Sequence, residues 1–238
     1  MRKAFPMLLL ALLFSATLVR AGMLEDVMKK AGMPQSGGAG ESTTAAGLKE
    51  ALSIGAKNAV RLVSRKDGYF GNQAIRIQMP GKIQQAANVL GKMGYQKQVD
   101  AFVLSMNRAA EKAAPKAKAI FVEAIKGMSI SDAKKILGGG DTAATEYFKE
   151  KTSARLYDEF KPVISSSMDQ VGTTRAYKEM MGKYEAVPFV PKQSLDLDHY
   201  VTNKALDGLF YMVGQEEKKI RTDPAARVTD LLRKVFGK

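Results

Sequence analysis

The sequence contains no cysteine, no tryptophan and a single histidine in 238 residues. Without cysteine there is no disulfide scaffold, no Cys-ligated zinc or iron–sulfur centre, no thiol nucleophile and no lipid-anchored N-terminal Cys. One histidine, His199, rules out multi-His metal sites and leaves one position for any His-dependent mechanism. The G-x-S-x-G elbow, the metalloprotease and kinase signatures and the Rossmann fingerprint are all missing. These absences leave no catalytic residue, metal or cofactor to expect.

What is present is basic. Lys and Arg number 37 against 24 Asp and Glu, a formal charge of +13. With 45% hydrophobic and 26% charged residues the composition is globular, not disordered. Met1-Arg2-Lys3, an apolar run from Ala4 to Phe14, and Val19 and Ala21 at the −3 and −1 positions form the pattern of a secretory signal peptide over residues 1–21. That apolar run is shorter than the roughly 20 residues a membrane span needs, and no later run is longer. A cysteine-free exported chain suits a bacterial periplasm, which turns the basic charge away from nucleic acid. Expected partners are then an anionic or amphiphilic ligand or another envelope protein, with peripheral membrane contact as a variant.

The charge is uneven. Residues 22–140 carry 18 Lys+Arg and 9 Asp+Glu, whereas residues 141–238 carry 16 and 15. Residues 22–43 read as a short amphipathic arm, with Lys29 and Lys30 beside an apolar side, followed by a Gly/Ser-rich linker. Residues 44–238 read as one all-α, multi-helix domain with a long central helix pair, because the apolar period is helical almost throughout. The first helix runs from about Thr44 to Arg65, with Lys57, Arg61 and Arg65 opposite its apolar face as a candidate basic face. Ala74 to Met79 alternates apolar and polar without an evident partner strand, which predicts an extended connector ending at Pro80.

A helix from Pro80 to Met93, capped by Gly94, leads to a long helix over about 96–128 that Pro115 kinks or splits. Ser129 or Ser131, with Asp132, opens a shorter helix ending at Gly138-Gly139-Gly140. Asp141 should cap a helix through Lys151, with a second from Ser153 to Val171 broken or kinked at Pro162. Further helices follow over 173–184 and 197–221, with Pro188 and Pro191 marking the loop between. Asp223-Pro224 starts a last helix to Phe236.

Polar residues on these helices are the remaining candidates. Asn107, Arg108, Glu111 and Lys112 sit mid-helix among alanines; Arg108, Glu111, Lys112 and Lys116 fall away from the Phe102–Ala124 stripe, and the group reads as a solvated face with an Arg108–Glu111 pair, although Leu104 and Val122 interrupt it. The helix around Tyr200–Val213 is apolar in nearly every direction and reads as buried all round. Lys204 and Asp207 on it, near Tyr200 and Tyr211, must pair internally, reach solvent at one edge, or line a polar pocket. The pocket alternative would make the protein an enzyme with these groups as acid–base residues. Asp196 and Asp198 suit a helix N-terminus better than a calcium loop. The glycine triplet lacks the Lys and the preceding strand of a phosphate loop.

The runs Ser105–Pro115, Gly138–Phe148, Thr173–Tyr177, Asp196–Thr202, Lys204–Phe210, Glu217–Arg221 and Pro224–Arg227 occur in an order that resembles the bacterial domain of unknown function 4197 family over about residues 44–237. The resemblance implies exported, helical proteins of Gram-negative bacteria without an assigned activity. It supplies no catalytic residue to carry over.

Overall fold

The structure, a computed structural model, describes residues 37–170, 177–179, 181–182 and 196–236. The expected leader, the amphipathic arm and the Pro188–Pro191 loop lie outside these residues, as does most of the helix expected over 173–184. Among the described residues there is no strand, and the all-α expectation holds. Residues Glu41–Lys238 form one compact unit.

Helix α1 spans Gly37–Ser64, α2 Gly81–Leu90, α3 Gln96–Ala113, α4 Ala117–Lys126 and α5 Ile130–Gly138. After these come α6 at Ala143–Gln170, α7 at Leu197–Thr222 and α8 at Asp230–Phe236. The α1 helix starts at Gly37, well before the expected Thr44. Once Leu48, Ala51 and Leu52 anchor its buried face, each residue added upstream brings one hydrogen bond without a new nucleus.

Local chemistry places the ends. Gly94 adopts φ 89 between α2 and α3, a left-handed conformation that glycine enters without a Cβ penalty. Pro115 converts one turn to 3₁₀ geometry at Ala114–Lys116, splitting the long helix into α3 and α4. Ser129 and Asp132 form a reciprocal capping box for α5. Asp196 caps α7 by accepting the His199 N–H at 2.9 Å. Asp223 caps only a 3₁₀ turn, Pro224–Ala226; the last helix begins later than expected, at Asp230.

The two helices expected between Asp141 and Val171 are one. Phe148, Thr152, Leu156, Phe160, Ile164 and Met168 recur every four residues and are all buried, so the stripe crosses the expected break without interruption. Thr152 satisfies its hydroxyl on the Phe148 carbonyl at 2.6 Å. Pro162 lies within the helix on its exposed side, where the carbonyl it leaves without a donor can meet water.

This long α6 helix organises the core. It packs along α3, α4 and α7, and α3 also touches α7. Ala109, Ala110, Ala113, Ala114 and Ala117 are fully covered, which lets the backbones of α3 and α4 approach their neighbours closely. Phe121 of α4 meets Phe148 of α6 at 4.8 Å and Phe210 of α7 at 6.2 Å between ring centroids. No described helix is long and apolar enough to cross a membrane.

Candidate functional site

The segment between α1 and α2 crosses the molecule without regular structure, so its backbone groups need other partners. Turns within the segment take some of them, and helix α3 takes others. The Glu111 carboxylate accepts the N–H groups of Tyr69 and Phe70 at 3.1 and 3.2 Å. The Asn107 carboxamide accepts the Ile77 N–H at 2.8 Å and donates to the Ile77 and Val103 carbonyls at 2.8 Å each. Arg108 links Glu111 at 2.6 Å to Asp67 at 2.7 Å.

The solvated face expected for Asn107, Arg108 and Glu111 is therefore corrected. Asn107 and Glu111 are buried, and Arg108 is mostly covered. The segment Asp67–Met79 lies over them and takes the place of water. Val103 and Ala114 lie beside Asn107 on the helical wheel, both within about 40° of it, and that is the available signal of its burial. Lys112 and Lys116 keep the expected exposure, with hydrogen bonds to Gln170 at 3.0 Å and to Glu159 at 3.3 Å.

The clamped segment and α7 enclose a groove of about 380 Å³, lined by Ala74–Gln78 on one side and Tyr200, Lys204, Asp207, Gly208 and Tyr211 on the other. The four α7 candidates thus come together along one helix face. Lys204 and Asp207 pair at 3.1 Å but are 49% and 68% exposed, and Tyr211 is 46% exposed. The expectation of a helix buried all round is corrected: α7 is covered on its other faces and opens on this one.

Gly208 makes the groove possible. A Cβ there would lie 2.7 Å from the Tyr69 ring and 3.1 Å from Ile75, so only glycine lets the segment seat against α7. Tyr69 donates to the Ala205 carbonyl at 2.7 Å, and Tyr200 to the Gln78 carbonyl at 3.2 Å. Burial raises the pKa of both phenols; nearby Glu111 adds to the shift at Tyr69, whereas Lys204 partly offsets it at Tyr200. Both tyrosines therefore act as proton-bearing donors that pin the segment to α7.

Lys57, Arg61 and Arg65 are all exposed and follow one another every fourth residue along α1. Arg61 bonds Asn58 at 3.4 Å, and none of the three has a carboxylate partner among the described residues. Lys118 of α4 joins Lys57 at the edges of a shallow seam floored by Ala56, Phe121 and Ile125. Sequence alone does not connect Lys118 with the stripe, because the connection depends on α1 lying beside α4.

The other candidates have structural partners. Asp141 is exposed; Glu217 of α7, not Asp141, takes the N–H groups of Ala144 and Thr145 at 2.9 Å each, together with the Thr145 hydroxyl at 2.8 Å. Arg221 balances that buried carboxylate at 2.9 Å. A helix N-terminus accepts a carboxylate from any element that can reach it. His199 Nδ1 lies 2.8 Å from the Tyr157 hydroxyl and bonds Asn203 in an exposed position. No cluster of three metal-binding side chains occurs among the described residues.

No curated protein and no solved structure matches the chain. The family described as "Protein of unknown function (DUF4197)" matches residues 38–237, which includes α3 with its clamp, the clamped segment and α7 with its groove. The match spans most of the 238 residues, and the chain belongs to this family.

Proposed function

We propose that the protein is an exported, periplasmic binding module that engages an anionic, amphiphilic surface through its basic first half. The observation that carries this reading is the Lys57–Arg61–Arg65 stripe: three exposed cations on one helix face without carboxylate partners among the described residues. Lys118 extends the stripe across an apolar seam. Such a surface attracts anions over about 8–10 Å at ordinary salt and loses that attraction as salt rises. The leader-like residues 1–21 support export.

The test is co-sedimentation of the protein from Gly22 onward with vesicles containing phosphatidylglycerol. Binding should fall steeply between low and high salt. The triple variant Lys57→Glu, Arg61→Glu, Arg65→Glu should lose most of it. Affinity unchanged by salt and by the variant would reject the reading.

The alternative, an enzyme using Lys204, Asp207 and Tyr200 or Tyr211, is supported by the groove beside that pair. Against it stands their exposure: two solvated, mutually neutralising charges gain little of the low-dielectric environment that tunes catalytic groups.

A further inference from the structure

From the backbone edge and the charge of the groove beside α7, we infer that it is a docking site for an extended peptide bearing an acidic side chain. Residues 76–80 lie outside helix and turn, with Ile77 and Met79 buried while Gln78 is exposed; that alternation, and one carboxamide bonding both the N–H and the carbonyl of Ile77, are marks of an extended chain. In an extended chain the N–H and C=O of one residue point to one side and those of its neighbours to the other. Asn107 takes both polar groups of Ile77. The polar groups of Gln78 and the Arg76 carbonyl therefore face the opposite side, toward α7. The bond from Tyr200 to the Gln78 carbonyl bears this out.

The Arg76 N–H is taken by the Asn72 carbonyl at 2.8 Å. The Gln78 N–H and the Arg76 carbonyl have no partner among the described residues. They present a donor and an acceptor with the spacing that a neighbouring strand uses, which is the chemistry of strand addition. From Tyr200 to Tyr211 the α7 wall runs about 16 Å at helical rise, room for about five residues of an extended peptide.

The charge of the groove selects among such peptides. Lys204 is already neutralised by Asp207 at 3.1 Å. Arg76 is not neutralised: its guanidinium rests 4.1 Å above the Phe70 ring, its Nε is buried without an acceptor, and no carboxylate among the described residues pairs with it. Arg108 lies 5.8 Å from the same ring but has Asp67 and Glu111. A stacked guanidinium keeps its in-plane N–H groups available, and a carboxylate on the incoming peptide is the group that fits them. This site shares no residue with the basic stripe of α1.

The experiment selects a displayed library of random linear peptides on the full protein. The most enriched sequence is then made as a blocked synthetic peptide, and its affinity is measured by fluorescence anisotropy. Enriched peptides should carry Asp or Glu among β-branched residues. Gln78→Pro, which removes the unbonded N–H together with an exposed side chain at a site where an extended backbone suits proline, and Arg76→Gln should each weaken binding about tenfold, and Arg76→Gln should erase the preference for an acidic residue. The triple α1 variant should bind the peptide unchanged, which separates failure of this site from failure of the stripe. Amide hydrogen exchange supplies a measurement without substitution: the Gln78 N–H should become protected when peptide is added.

Three outcomes would overturn the inference. One is the absence of any sequence enriched over the bare support. Another is a peptide bound equally by both groove variants with no protection at Gln78. The third is self-association of the protein that these variants abolish, which would make the occupant a second copy.

Discussion

Arg108–Glu111 on α3 and Lys204–Asp207 on α7 are built alike: a cation, then a carboxylate three residues on, paired at 2.6 and 3.1 Å. Their surroundings are opposite. Glu111 is covered by the Asp67–Met79 segment and holds two backbone N–H groups besides its arginine. Asp207 faces solvent and, among the described residues, holds only its lysine. Helical spacing decides that each pair forms, and the cover above the helix decides how much the pair contributes. In water a pair of this kind contributes about 0.2–0.5 kcal/mol. Under cover, removing the carboxylate leaves two backbone donors without an acceptor.

The sharpest way to break the comparison is Glu111→Ala. It should lower the unfolding free energy by about 2–4 kcal/mol, because the Tyr69 and Phe70 N–H groups lose their acceptor and Arg108 keeps only Asp67. Denaturant unfolding measures this, and a loss below about 1 kcal/mol would mean that the segment finds other partners.

Tyr69 gives an intermediate effect with a pH signature. Its folded pKa is raised above the ordinary value near 10 by burial, with Glu111 adding to the shift. The folded state thus binds this proton more tightly than the unfolded state. The associated stability is fully present below pH about 10 and is lost as pH rises above it. Tyr69→Phe should cost about 1 kcal/mol at neutral pH and remove part of the alkaline loss. Absorbance titration of phenolate against unfolding midpoints would check both.

Asp207→Ala marks the small end. It should change stability by no more than about 0.5 kcal/mol, measured as for Glu111. A loss comparable to that of Glu111→Ala would erase the contrast between the two pairs.

Much of the fold is legible in the chain itself. The Ser129–Asp132 box, Gly94 as a helix stop, Pro115 as a split and the alternating connector at 74–79 each follow from backbone chemistry within a few residues. Alternation marks the connector, and Ile75, Ile77 and Met79 are indeed its buried members. The break expected within α6 does not occur, because the four-residue stripe that spans Thr152 and Ser153 outweighs the short-range cues around them. The candidate site is legible in membership but not in placement. Tyr200, Lys204, Asp207 and Tyr211 share a helix face by spacing alone, and that face does line a groove. Arg76, Gln78 and Gly208 are not candidates by sequence, because their significance comes from contacts between elements about 130 positions apart in the chain.

The two ion pairs show where the boundary lies. The sequence by itself determined most of the described helices, most of their ends and which residues could meet three or four positions apart, because those depend on propensity, capping and helical period. It determined that the positive excess belongs to the first half of the chain. Only the tertiary structure decided which polar face is covered. The Asp67–Met79 segment lies over Asn107 and Glu111 because Gly208 lets it seat against α7 and Tyr69 and Tyr200 tie it there. Burial of a polar group is a property of the element laid across it, and that information sits at distant positions in the chain rather than in its own spacing.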